Sequence, residues 1–81
     1  NNEMAERNKR LSENETGKYY VDSECINCDL CIEIAPNFFK KGEDSQNQFV
    51  YKQPSLPSEI LKMKEAFDSC PTEAIGDDGD L

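Results

Sequence analysis

Four cysteines stand in a chain of 81 residues as a close triplet and one remote partner: Cys25, Cys28 and Cys31 at a constant spacing of three, then Cys70. Thiols set this tightly cannot readily serve as partners in separate disulfides. A loop that wraps around a compact object can present all three of them to it. The pattern matters because little else in the chain can organise a fold. A domain of this length is marginal without a covalent or metal staple. Its composition is 36% hydrophobic with no Trp, and its mean hydropathy is -0.82, so the core is thin.

Charge and composition narrow the function. Nine basic against 17 acidic residues give 9 − 17 = −8. Phosphate neutralisation needs a surplus of Lys and Arg, so nucleic acid is an unsuitable partner, as is an anionic membrane. A basic patch on another protein is suitable. The chain contains no histidine, which removes the commonest general base and every zinc site that relies on imidazole. No run approaches the length of a membrane-spanning helix. Residues Asn1 to Lys9 are polar and lack the apolar stretch of a signal peptide, so a cytoplasmic location is expected.

Three chemistries use four thiols. A cubane iron–sulfur cluster needs one thiolate per iron; the triplet supplies three and only Cys70 remains for the fourth. Cys70-Pro71 has the remote Cys-Pro form of bacterial iron–sulfur proteins, and Pro71 forces the chain to turn away after the ligand. Structural zinc also takes four thiolates, but usually as two separated Cys-x2-Cys pairs. A secreted disulfide scaffold would have to close very short loops. The cluster reading therefore assigns Cys25, Cys28, Cys31 and Cys70 as cofactor and metal ligands.

The runs CINCDLCIEIAP and CPTEAI resemble bacterial-type ferredoxins, and more closely the single-cluster 4Fe–4S members, over roughly residues 18 to 76. The resemblance implies an α+β domain with βαββαβ-like order, short strands, one main helix and a cluster-binding loop. It implies one 4Fe–4S cluster and a soluble, monomeric one-electron carrier of low potential without a catalytic site of its own. Redox proteins with basic docking surfaces, a reductase or a dehydrogenase, would be its partners. Two-cluster relatives carry a fourth Cys before the Pro of the first motif, serving the other cluster. Here that place is Ala35. The same spacing counted back from Cys70 falls on Ile60, Met63 and Ala66. The second site is thus expected to have become apolar core.

The remaining pattern places these motifs. Residues 1 to 17 read as a polar, solvated arm, residues 18 to 76 as the ferredoxin domain, and residues 77 to 81 as a mobile acidic tail. Lys18 to Asp22 suits a short strand, as do Phe38-Phe39, Phe49 to Tyr51 and Ala74-Ile75. Gly42 to Gln48 reads as a turn. Leu56, Ile60, Met63 and Phe67 form one helical face that Cys70 continues. Ile26, Leu30, Ile32, Pro71 and Ile75 are expected to shield the cluster, with Tyr20 and Val21 covering another side. Asp29 reads as a solvated loop carboxylate.

Overall fold

The computed structural model describes residues 5–25, 29–42 and 47–80. After a turn of 3-10 helix at Arg7–Lys9, the order is β1 (Tyr20–Val21), α1 (Leu30–Ile34), β2 (Phe39–Lys41), β3 (Gln48–Val50), α2 (Pro57–Ser69) and β4 (Ile75–Gly76). This is the expected βαββαβ order. β1 pairs antiparallel with β4, Tyr20 opposite Gly76 and Val21 opposite Ile75. β2 and β3 form an antiparallel hairpin, with Phe39 opposite Val50.

Proline sets the boundaries that position the thiols. Pro36 follows Ala35, which leaves helical geometry and closes α1. Pro57 opens α2, where its missing N–H is not needed. The carboxylate of Glu59 reaches back to the N–H groups of Ser55 and Leu56, at 2.9 and 3.0 Å, and these bonds hold its pKa below the usual carboxylate range. At the other end Cys70 turns extended in front of Pro71, so α2 stops at Ser69.

One core serves both sheets: Tyr19, Val21, Phe38, Phe39, Val50, Met63, Ala66, Ala74 and Ile75 are buried together with Cys31 and Ala35. Burying an aliphatic or aromatic side chain of this size contributes about 1.5–3 kcal/mol. Three of the four positions matched to a second cluster, Ala35, Met63 and Ala66, lie in this core. Ile60 does not. It is 38% exposed and Leu56 is 58% exposed, so the helical face predicted to be buried is shifted. Within α2 the buried residues are Met63 and Ala66, both beyond its first turn.

Two further expectations are corrected. Gln48 is not a turn residue; it opens β3 and is fully buried, while Tyr51 falls outside the strand. Nor are the described parts of the two termini loose. Leu11 donates its N–H to the carbonyl of Val21, and Glu15 donates to the carbonyl of Val50. Asn14 is half-buried, and its amide nitrogen donates to the carbonyls of Leu11 and Val21 at 2.7 and 2.8 Å. Its carbonyl oxygen accepts the N–H groups of Val21 and Val50 at 3.0 and 2.9 Å. One side chain therefore ties β1 to β3, strands of different sheets.

The acidic tail closes over the arm. The N–H of Gly79 donates to the carbonyl of Lys18, and the Arg10 guanidinium donates to the carbonyl of Gly79. The buried Tyr20 hydroxyl meets the carboxylate of Asp78 and the carbonyl of Ala5. Gly76 has to be glycine here, because a Cβ would run into the Tyr20 ring.

Candidate metal centre

Cys25, Cys31 and Cys70 line one cavity, although 45 positions separate the first from the last (70 − 25). Cys31 comes from α1 and is buried; Cys25 lies on the loop leaving β1; Cys70 sits where α2 ends. Cys28, with Ile26 and Asn27, lies outside the described residues. The loop enters α1 through Asp29, whose φ of 66° is in the left-handed region. Asp tolerates that region better than most residues, which lets the chain turn sharply between the Cys triplet and the helix.

The turn after Cys70 is equally specific. Pro71 directs the chain outward, and Glu73 adopts a φ of 54°. The N–H of Glu73 donates to the carbonyl of Cys70 at 3.2 Å. These bends return the backbone so that the N–H of Ala74 points at the Cys70 sulfur, 3.2 Å away. The Thr72 hydroxyl lies 3.7 Å from the same sulfur. An amide aimed at a sulfur stabilises it as a thiolate and is among the contacts that tune an iron–sulfur centre.

Val21, Ala74 and Ile75 supply the apolar walls of the cavity. Ile75 and Val21 thus stand where the sequence placed them. Leu30 and Pro71 are exposed instead, Ile32 packs partly buried against the core, and Tyr20 is engaged with the two termini. Three lining residues escaped sequence reasoning: Thr72, Ala74 and Gln48. The Gln48 carbonyl oxygen lies 3.1 Å from the sulfur of Cys31 and 4.0 Å from that of Cys25, and its amide nitrogen donates to Asp29. Asp29 is therefore half-buried and bonded rather than a solvated loop carboxylate. Alternation along the strand, with Gln48 and Val50 on one side of Phe49, was the available signal.

A thiol set converging on an apolar cavity, with an N–H directed at one sulfur, suits an iron–sulfur cluster. Comparison with known proteins defines the class. The family described as the 4Fe-4S single cluster domain of Ferredoxin I matches residues 21–77. Ferredoxin-1 of Desulfocurvibacter africanus is 37% identical over 59 residues, covering 72% of this chain and 88% of the relative. A ferredoxin of Thermococcus litoralis is 36% identical over 59 residues, 72% of this chain and 93% of its own. The crystal structure of ferredoxin I from Desulfovibrio africanus at 2.3 Å superposes with a TM-score of 0.63 at 37% identity, over 72% of this chain and 89% of that one. The chain belongs to this 4Fe–4S ferredoxin family and is an iron–sulfur electron carrier. Among the described residues, no helix is long and apolar enough to cross a membrane.

Proposed function

We propose that the chain carries one electron at a time on a single 4Fe–4S cluster held by Cys25, Cys28, Cys31 and Cys70. The observation that carries this reading is the convergence of Cys25, Cys31 and the remote Cys70 on one cavity, with the Ala74 N–H directed at the Cys70 sulfur. The count of one follows from supply: the chain has four cysteines, and a cubane takes about four thiolates. Ala35, Met63 and Ala66, buried and apolar, support it further.

When bound, the cluster supplies the one-electron couple. The chain's own residues do the rest. The four thiolates bind. Val21, Ala74 and Ile75 exclude water from one side of the cavity. The Ala74 N–H holds the Cys70 sulfur in place. Four thiolates with an oxidised core of charge +2 take the net charge from −8 to about −10, and one electron takes it to about −11. Adding charge to an already acidic protein is unfavourable, so the potential is low. The same acidity steers a reductase or dehydrogenase with a basic docking surface. No catalytic group is assigned, and the protein acts as a cytoplasmic monomer, its ferredoxin domain spanning residues 18 to 76.

A reductive titration tests the reading. Uptake of one electron per chain is expected, with transfer to a basic redox partner slowing as salt is raised. Uptake of two electrons per chain would contradict the single cluster.

A further inference from the structure

Gln48 is a polar side chain at a place built for an apolar one. It is 1% exposed, and it shares the inward side of β3 with Val50. Burying an amide is unfavourable unless its groups are bonded, and Leu or Met would fill the same volume without that demand. Both ends of this amide are in use. The oxygen accepts from the Cys31 thiol at 3.1 Å, and the nitrogen donates to Asp29.

The contact with Cys31 requires a proton on sulfur. Ligation removes it, because iron takes the thiolate, and a thiolate has only lone pairs to offer a carbonyl oxygen. The opposite end of the glutamine amide is nearly the same shape and carries two N–H groups. Gln48 is thus a side chain within bonding distance of a ligand sulfur that can switch from acceptor to donor without leaving its cavity. Asp29 lies on the other side of the amide and competes for the same N–H groups.

Resting on the reading of Cys31 as a ligand, we propose that Gln48 is a positioning residue for the cluster: its side-chain N–H donates to the Cys31 thiolate, fixes that sulfur's orientation and raises the reduction potential. The sign follows from charge, since a donor to sulfur favours the more negative, reduced state. Gln48 is the side-chain counterpart of the Ala74 N–H at Cys70.

The test uses the full chain, isolated or reconstituted anaerobically. Gln48→Leu and Gln48→Met remove the donor and keep the bulk. Both are expected to retain wild-type iron while the reduction equilibrium constant falls about tenfold, a midpoint about 59 mV lower for one electron. Loaded variants with the wild-type midpoint would overturn the role. A second measurement needs no variant: wild-type protein labelled with ¹⁵N in the glutamine side chains is reduced and read by pulsed EPR. A ¹⁵N coupling to the reduced centre is expected, and a loaded protein without one overturns the role even if both variants fail to load. An iron-free wild-type protein would instead overturn the functional reading itself, so the two failures are distinguishable.

Discussion

The N–H of Ala74 and the sulfur of Cys70 face each other across 3.2 Å, four residues apart in a turn made by Pro71 and a left-handed Glu73. A ligand and a donor to that ligand are therefore supplied by the same short segment, at the junction of α2 and β4. Cys70→Ser replaces a soft thiolate with a harder, more basic oxygen in the same turn. Iron per chain in this variant is expected to fall well below wild type, with faster bleaching in air. Wild-type iron content at wild-type stability would contradict the assignment of Cys70.

Glu73 occupies left-handed geometry, with φ 54°, that costs an ordinary residue about 1–2 kcal/mol. Its side chain is exposed. Glu73→Gly removes that cost and loses part of the gain to a freer unfolded chain, for a net stabilisation of about 0.5–1 kcal/mol. A denaturant titration of the loaded protein should show a higher midpoint. A lower midpoint would mean that the Glu73 side chain contributes more than its backbone costs.

Asn14 makes bonds to both β1 and β3. Asn14→Ala leaves the N–H groups of Val21 and Val50 without this acceptor, at about 1–3 kcal/mol for each group left unsatisfied. A total loss of about 2–6 kcal/mol is expected, read as a drop in the unfolding midpoint and as faster amide exchange in both strands. Exchange accelerated in β1 alone would show that Asn14 does not join the sheets.

Burial, reinforced by the carboxylate of Asp78, holds the Tyr20 hydroxyl well above the ordinary tyrosine range. The folded protein therefore keeps this proton where the unfolded chain begins to lose it, near pH 10. The stability involved is intact below that pH and declines as pH rises beyond it. Tyr20→Phe is expected to lower stability at neutral pH by about 1 kcal/mol and to flatten the decline between about pH 10 and 12. Equal alkaline slopes in the two proteins would contradict this role.

Much of this was legible in the residues. The spacing of the cysteines singled out Cys25, Cys31 and Cys70, which the fold brings to one cavity, and Pro36 and Pro71 marked where the two helices stop. The aromatic and β-branched residues of Phe38-Phe39 and Phe49-Val50 marked the hairpin. The misreadings have physical causes. Periodicity identified a helix but not how far along it the neighbouring body reaches, so Leu56 and Ile60 were placed inside. Gln48 was hidden because a polar run next to a strand looks like a turn, and only tertiary packing shows that its amide is needed beside the sulfurs. The arm misled in the same way. Asn14 is one polar residue in a polar run, and its contribution comes from four backbone groups brought together by the fold.

Iron and acid-labile sulfide, counted on anaerobically isolated protein together with its visible spectrum, decide whether the cysteines hold a single cubane. About four of each per chain are expected, with a broad brown absorption that bleaches with dithionite. A colourless, iron-free protein that holds its fold unaided would contradict the cubane.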